Sequence, residues 1–143
     1  MEEWTSPPVG SVKFNTDGTA GIGGILRDNS GKCLWIFSKS IGVANPTSAE
    51  LLAIKEALTV FMSTGLVETF RLLVESDCSN AVSWLRYPFT PPIVFKELVY
   101  ECLALSRELN WELLLVDREK NKRADTLAKA GIDDDIISGG ENE

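Results

Sequence analysis

The chain has 143 residues, of which 44% are hydrophobic, and a formal net charge of −7. This length and apolar content predict one compact domain with a sizeable core. They exclude a membrane-spanning chain, because no apolar stretch approaches the length of a membrane span. The first residues lack the basic and apolar regions of a signal peptide. Three scattered cysteines, Cys33, Cys78 and Cys102, indicate reduced thiols in an intracellular protein of the cytoplasm or nucleus.

The negative charge is concentrated at the two ends of the chain. Glu2 and Glu3 lie at one end, and five of the last eleven residues are acidic, whereas acids and bases balance over 4–132. We therefore predict a domain over residues 1–132, followed by an acidic, flexible tail over residues 133–143. A nucleic-acid-binding function is consequently compatible with the net charge.

Periodic apolar residues predict an alternation of strands and helices. Strands are expected near 10–17, 21–28, 32–40, 69–76 and 111–116. Helices are expected at 47–64, in a short stretch through Trp84, in a longer one through about Leu109, and from Asn121 to Lys129.

Two acidic residues stand at boundaries in the first half of this pattern. The first strand alternates apolar and polar side chains, so that Asp17 faces away from Phe14. Glu50 lies near the start of the first long helix. Taken singly, Asp17 before Gly18 is typical of a turn, and Glu50 is typical of the capping-box partner of Thr47.

Two further acidic residues occupy similar boundaries in the second half. Asp77 follows the nearly unbroken apolar run 70–76, which is typical of a central strand. Asp125 lies in the first turn of the last helix, which Asn121 can cap. Singly, Asp77 could cap the next helix and Asp125 could complement the helix dipole. Capping alone gives no reason for all four acids to occur in these contexts, so we interpret them as one site.

The chemistry of four carboxylates favours a hard divalent cation. Mg²⁺ takes oxygen ligands and combines a few protein carboxylates with phosphate oxygens of a substrate. Two such ions about 3.5–4 Å apart can activate water and stabilise a departing oxygen in phosphodiester cleavage. The chain has no histidine and no Cys-x-x-Cys pair, which argues against zinc.

The order of these motifs resembles the ribonuclease H family, and more narrowly the plant ribonuclease-H-like domains that are related to retroelement reverse transcriptases. The matching segments are Trp4 with Pro7-Pro8, Lys13–Gly18, Gly21–Asp28, Ala49–Leu51, Glu75–Asp77 and Asn121–Lys129. The resemblance implies an α/β fold with a mixed five-stranded sheet and helices on both faces. It also implies that the catalytic and metal-binding residues are Asp17, Glu50, Asp77 and Asp125.

The same resemblance implies a function. The expected protein is a monomeric endonuclease that hydrolyses the RNA strand of RNA–DNA hybrids with two Mg²⁺ ions, for which Mn²⁺ can substitute. Its expected partner is therefore nucleic acid and not a membrane. Four residues border the acids and are candidate substrate contacts: Gly18, Thr19, Ser79 and Asn80.

Two departures from the family pattern leave other functions open. Only Thr19 separates Gly18 from Ala20, where the family commonly has a longer loop. Leu115 stands where many members carry a histidine, ten residues before the last aspartate. The alternatives are a catalytically inactive module that binds nucleic acid or a protein partner, and an exonuclease or resolvase on the same fold.

Basic residues cluster around the last of the four acids. They are Arg118, Lys120, Lys122, Arg123 and Lys129. A basic group beside a reacting phosphate would aid its attraction and positioning. The alternative is an ordinary solvated helix face.

Overall fold

The computed structural model describes residues 4–42, 45–130 and 136–139. Its strands are β1 (Ser11–Gly18), β2 (Gly21–Arg27), β3 (Cys33–Ser40), β4 (Arg71–Ser76), β5 (Trp111–Leu115) and β6 (Ile136–Gly139). Its α-helices are α1 (Pro46–Ser63), α2 (Ser79–Arg86), α3 (Ile93–Ser106) and α4 (Lys122–Ala130). Short 3-10 helices at Gly65–Glu68 and Arg118–Asn121 precede β4 and α4. Every strand and helix that the sequence predicts is present, with ends shifted by a few residues.

All strands join one mixed sheet in the order β5-β4-β1-β2-β3-β6. β1 pairs antiparallel with β2 and parallel with β4, and β5 runs parallel to β4. In the register of β1 and β4, Asn15 lies opposite Glu75. The carboxyl ends of these two parallel strands therefore meet at one edge of the sheet, where Asp17 and Asp77 stand. The predicted α/β fold, with helices on both faces of a mixed sheet, is confirmed.

The sixth strand lies in the segment for which the sequence predicts a flexible tail. β6 pairs antiparallel with β3, with Trp35 opposite Gly139, and extends the sheet beyond the five expected strands. Only four residues form it, so its sequence carries little strand periodicity. Residues 131–135 and 140–143, and with them the predicted division of the chain at Ile132, lie outside the described residues.

The central strand β1 is buried on both faces because helices cover both sides of the sheet. Phe14 faces the main core, which the buried side chains of α1 share, among them Leu51 and Leu58. On the opposite face, Leu127 of α4 packs against Ile25 and Ile36. Within the described ranges, no helix is long and apolar enough to cross a membrane. On the face opposite Phe14, Lys13 and Asn15 of β1 are also buried, against Trp4 and Asn121.

Candidate active site

Three of the four predicted acids meet at the edge where β1 and β4 end. Asp17 is the penultimate residue of β1, Asp77 directly follows β4, and Glu50 lies in α1. One carboxylate oxygen from each of them lies within 4.8 Å of the others. The structure thus brings together residues that are 60 positions apart in sequence, and it does so without histidine or cysteine in the group.

Gly18 allows α1 to approach β1 closely enough for this cluster to form. A Cβ atom at Gly18 would clash with the carbonyl of Ala49 and would lie 2.8 Å from the backbone nitrogen of Glu50. The backbone N–H of Gly18 also favours the ionised Glu50 carboxylate and so lowers its pKa, against the larger effect of burial. Gly18 is the last residue of β1 and pairs with Ile22, so the Asp-Gly sequence serves strand–helix packing rather than a simple turn.

Helix capping does not account for Glu50 or Asp77. The N-cap of α1 is Asn45, whose side chain accepts from the backbone N–H of Ser48 at 2.9 Å, so the capping box with Thr47 is not formed. The N-cap position of α2 is Cys78, which makes no side-chain capping bond. Neither carboxylate is therefore used to cap a helix, and both belong to the three-acid cluster.

Asp125 lies at the rim of the cluster, on α4. It is hydrogen-bonded to Asp17, and its Oδ2 lies 3.1 Å from Nζ of Lys129. Its side chain is 26% exposed, whereas Asp17 is almost inaccessible. Asp125 is thus linked to the three-acid cluster through Asp17, while keeping an ion pair of its own.

The crowding of these acids changes their protonation. Burial, and then the hydrogen bond with Asp125, raise the pKa of Asp17 to about 7. Burial and the neighbouring Asp17 raise the pKa of Glu50 to about 10, and burial raises the pKa of Asp77. Burial opposes ionisation of Asp125 as well, but its hydrogen bond with Asp17 and the Lys129 ammonium group outweigh it, and the pKa is lowered. The raised pKa values of Asp17, Glu50 and Asp77 therefore indicate that these three carboxylates lack enough neighbouring positive charge to be ionised together.

The residues of the cluster fit a divalent cation. Oε1 of Glu50 is buried and has no hydrogen-bond partner within the described part of the chain. A buried carboxylate oxygen without a partner is costly unless a ligand satisfies it. All three side chains offer hard oxygen donors, which suit Mg²⁺, Ca²⁺ or Mn²⁺ better than zinc.

In the metal-free protein, the raised pKa of Asp17 should make stability fall as the pH rises. The folded chain holds a proton on Asp17 between the ordinary pKa of 3.8 and about 7, whereas the unfolded chain has lost it. This contribution is complete below pH 3.8 and is lost as the pH rises through about 7. In urea unfolding with EDTA, we expect the wild type to lose up to about 1.4 kcal/mol per pH unit more than Asp17→Asn across this window. Parallel pH profiles would contradict the shift.

Asn121 is a site residue whose role the sequence did not reveal. Its Nδ2 donates to the carbonyl of Thr16 at 2.7 Å and lies 3.5 Å from Oδ2 of Asp77, while its Oδ1 accepts from Asn15 at 3.0 Å. The sequence predicts Asn121 as a helix cap, but its side chain bonds to β1 and reaches Asp77. Its spacing of four residues from Asp125 was the available signal, because such residues share a helix face.

The four candidate substrate contacts occupy different environments. Gly18 is covered by α1, and Oγ1 of Thr19 is buried without a hydrogen-bond partner in the described structure. Ser79 and Asn80 are exposed at the start of α2, two and three residues after Asp77. Ser79 and Asn80 are therefore the two that a bound molecule can reach directly.

Comparison with known proteins identifies the family. A sequence profile of reverse transcriptase-like proteins matches residues 9–131. The chain belongs to this reverse transcriptase-like family. An Arabidopsis thaliana protein, named provisionally as a ribonuclease H protein, is 32% identical over 136 residues, which cover 90% of this chain and 22% of that protein. The reverse transcriptase-like domain thus spans about a fifth of the length of that relative.

Solved ribonuclease H structures share the fold of this reverse transcriptase-like domain. LC11-RNase H1, isolated from compost, superposes with a TM-score of 0.80 at 26% identity, covering 87% of this chain and 97% of the enzyme. The same enzyme in complex with an RNA/DNA hybrid gives 0.79 at 26% identity, with 86% and 97% covered. The RNase H1 of Halobacterium salinarum NRC-1 gives 0.79 at 22% identity, with 87% and 98% covered. The resemblance to ribonuclease H found in the sequence is thereby confirmed.

Proposed function

We propose that this domain is a metal-dependent endonuclease that hydrolyses the RNA strand of RNA–DNA hybrids. The observation that carries the proposal is the convergence of Asp17, Glu50 and Asp77, with one oxygen of each within 4.8 Å of the others. The cluster stands in a ribonuclease H fold, and LC11-RNase H1, a structural neighbour, binds an RNA/DNA hybrid. Acidic clusters of this kind hold cations that act on phosphodiesters.

Asp17, Glu50 and Asp77, with Asp125 at the rim, would hold Mg²⁺, which Mn²⁺ can replace. When bound as a pair, such ions supply the positive charge that stabilises the attacking and leaving oxygens. The protein's own residues position the carboxylates. Gly18 lets the start of α1, with Glu50, approach β1, and Asn121 bonds to β1 and contacts Asp77. These contacts hold the carboxylates in place before substrate arrives.

Recognition of the RNA strand would use its 2′-hydroxyl groups and the shape of the hybrid's groove. Ser79 and Asn80 are exposed beside Asp77 and can donate hydrogen bonds to hydroxyl or phosphate oxygens. Thr19 offers a hydroxyl without a hydrogen-bond partner, and Gly18 offers backbone close to Asp17. We propose these four residues as substrate contacts, with Ser79 and Asn80 the most accessible.

Cleavage of an end-labelled RNA strand tests the proposal. The strand is presented alone, in an RNA duplex and in an RNA–DNA hybrid, with Mg²⁺ or Mn²⁺ and with EDTA as the metal-free control. We expect cutting of the hybrid only, and only with metal. A folded protein that cuts none of the substrates with either metal would overturn the proposal and favour an inactive binding module, which Leu115 and the short first hairpin also suit.

Leu115→His should increase the cleavage rate. Leu115 ends β5, lies opposite Ser76, the residue before Asp77, and is 49% exposed, so a histidine there would stand near the end of β4 without disturbing the core. A histidine can carry a proton to or from a reacting group, an effect commonly worth 10²-fold or more; at this exposed position we expect about tenfold. Single-turnover rates of the variant and the wild type, compared between about pH 6 and 9, measure the gain. An unchanged rate in an active preparation would show that the missing histidine does not limit this domain.

A further inference from the structure

A series of hydrogen bonds runs through the interior from Trp4 to the candidate active site. The indole Nε1 of Trp4 donates to Oδ1 of Asn15 at 3.0 Å. Nδ2 of Asn15 donates to Oδ1 of Asn121 at 3.0 Å, and Nδ2 of Asn121 lies 3.5 Å from Oδ2 of Asp77. Asn15 is 2% exposed and Asn121 is fully buried. The series therefore connects a residue near the start of the sequence with one of the three clustered acids.

The chemistry of its partners fixes the orientation of the Asn15 amide. An indole N–H can only donate, so the Asn15 atom that faces Trp4 must be the carbonyl oxygen. Nδ2 of Asn15 also donates to Oε1 of Glu75 at 2.8 Å, while the other carboxylate oxygen of Glu75 pairs with Lys13. Turning the amide over would place its oxygen against the Glu75 carboxylate and its nitrogen against the indole N–H. Asn15 therefore presents a donor, and not an acceptor, to Asn121.

The Asn121 amide is in turn held at both of its ends. Oδ1 accepts from Asn15, and Nδ2 donates to the carbonyl of Thr16 at 2.7 Å. The terminal torsion of an asparagine side chain has broad preferences, so one of these bonds alone would let the amide plane rotate. Two bonds at opposite ends prevent this rotation, and the second N–H of Nδ2 then points toward Asp77. Without Asn15, the buried Oδ1 of Asn121 would lose its donor, and this cost favours a different orientation.

We propose that Asn15 is a positioning residue for the candidate cation site, acting on Asp77 through Asn121. This inference rests on the proposed function and adds to it an interior residue that fixes the surroundings of a metal-binding carboxylate. Groups that hydrogen-bond to metal ligands keep those ligands oriented, and their replacement typically weakens metal binding or activity about 10- to 100-fold. An ordinary buried polar residue would stabilise the fold alone and would leave the affinity for a cation unchanged.

The test compares Asn15→Leu, which keeps a similar size but loses the amide, with Lys13→Met. Lys13 belongs to the same buried network, but its side chain bonds to Glu75 and to the carbonyl of Thr5. Both substitutions should lower the stability to urea, because each removes a buried polar contact. Calorimetry with Mn²⁺ at pH 8 should show about tenfold weaker binding by Asn15→Leu and binding within about twofold of the wild type by Lys13→Met. Asn15→Thr, which is smaller and suits a strand, should show the same loss if Asn15→Leu does not fold.

A double substitution shows whether Asn15 acts through Asn121. Asn121→Leu should by itself weaken Mn²⁺ binding about tenfold. Adding Asn15→Leu to it should change the affinity less than about twofold further, because the residue through which Asn15 acts is already gone. Losses that multiply would show that Asn15 acts by another route and would overturn the proposal.

The side-chain amide hydrogens of Asn121 give a reading in the metal-free wild type that depends on no substitution. Both hydrogens should exchange slowly with solvent in NMR spectra, because one is bonded to Thr16 and the other points toward Asp77 in the interior. Rapid exchange of these hydrogens would contradict the fixed amide on which the proposal depends.

Two calorimetric results would also overturn this role for Asn15. One is wild-type Mn²⁺ affinity in Asn15→Leu. The other is an equal loss of affinity in Asn15→Leu and Lys13→Met, which would show that Mn²⁺ binding merely follows the stability of the fold. If the wild type binds Mn²⁺ but cuts no hybrid, the proposed nuclease fails while Mn²⁺ affinity still decides the role of Asn15. If a folded wild type does not bind Mn²⁺, both proposals fail.

Discussion

Asp17→Asn is expected to abolish hybrid cleavage while leaving the protein folded. Asp17 lies within 4.8 Å of Glu50 and Asp77 and is hydrogen-bonded to Asp125, so it is the residue that links all four acids. The amide has nearly the shape of the carboxylate but lacks its charge, and it cannot replace an anionic metal ligand. We expect single-turnover rates to fall about a thousandfold or more, which corresponds to roughly 4 kcal/mol of transition-state stabilisation.

Glu119→Gln is the matched control for this experiment. Glu119 lies on the 3-10 helix next to the site, but its side chain is 64% exposed and only 3.9 Å from Lys122 as a weak ion pair. The control should cleave at the wild-type rate. Urea unfolding at pH 8 without metal should show Asp17→Asn to be at least as stable as the wild type, because the substitution removes a charge that burial disfavours. Equal cleavage rates for Asp17→Asn and Glu119→Gln would show that Asp17 takes no part in the reaction.

Lys13→Met is expected to destabilise the fold by about 3–5 kcal/mol, the usual cost of breaking a buried ion pair from one side. Nζ of Lys13 lies 2.8 Å from Oε2 of Glu75, and the two side chains are only 4% and 7% exposed. The ammonium group also donates to the carbonyl of Thr5 at 2.6 Å. Without Lys13, Glu75 keeps a hydrogen bond from Asn15 but loses its balancing charge inside the protein. Urea unfolding of both proteins at pH 7 measures the difference.

An exposed ion pair in the same sheet provides the control for Lys13→Met. Arg71 lies 3.0 Å from Glu112, with side chains 40% and 47% exposed, and solvent-exposed pairs contribute at most about 1 kcal/mol. Arg71→Met should therefore cost far less than Lys13→Met. Replacing both Lys13 and Glu75 with apolar residues of similar size should recover much of the lost stability. Equal costs for Lys13→Met and Arg71→Met would contradict the role given to burial.

The location of the candidate site could be predicted from the sequence because Asp17 and Asp77 stand at the ends of strands, and short sequence patterns reveal strand ends. The alternation of side chains in β1 places Asp17 on the face away from Phe14, as expected. The apolar run before Asp77 indicates a central strand, and this strand ends at the same side of the sheet as β1. Parallel pairing of β1 with β4 then brings the two aspartates together. These steps need only side-chain periodicity and the geometry of a parallel pair.

The buried polar network of β1 and β4 could not be predicted in the same way. Lys13, Asn15 and Glu75 occupy positions that alternation assigns to a polar face, and polar faces are normally solvated. Here Trp4 and Asn121 cover them: the Trp4 indole donates to Asn15 and lies against the Lys13 ammonium group, and Asn121 accepts from Asn15, so an ion pair and an amide network become buried. Asn121 was misread for a related reason: an asparagine before a helix looks the same in sequence whether it caps the helix or bonds to a distant strand.

The position of Asp125 likewise depends on packing that residue spacing does not encode. The sequence predicts four acids in one site, whereas the structure gathers Asp17, Glu50 and Asp77 and leaves Asp125 at the rim, paired with Lys129. Asp125 stands on α4, so its distance from the other acids follows from how α4 packs against β1 and β2, segments that are distant in sequence. Sequence reasoning therefore identified the candidate acids but not their arrangement.

The most direct measurement is a calorimetric titration of metal-free protein with Mn²⁺ at pH 8, where Asp17 is ionised. It tests whether Asp17, Glu50 and Asp77 hold a divalent cation, independently of any substrate. We predict saturable binding by the wild type and by Glu119→Gln, and its loss in Asp17→Asn. Identical binding by all three proteins, or no binding by a folded wild type, would contradict the cation site on which the proposed function depends.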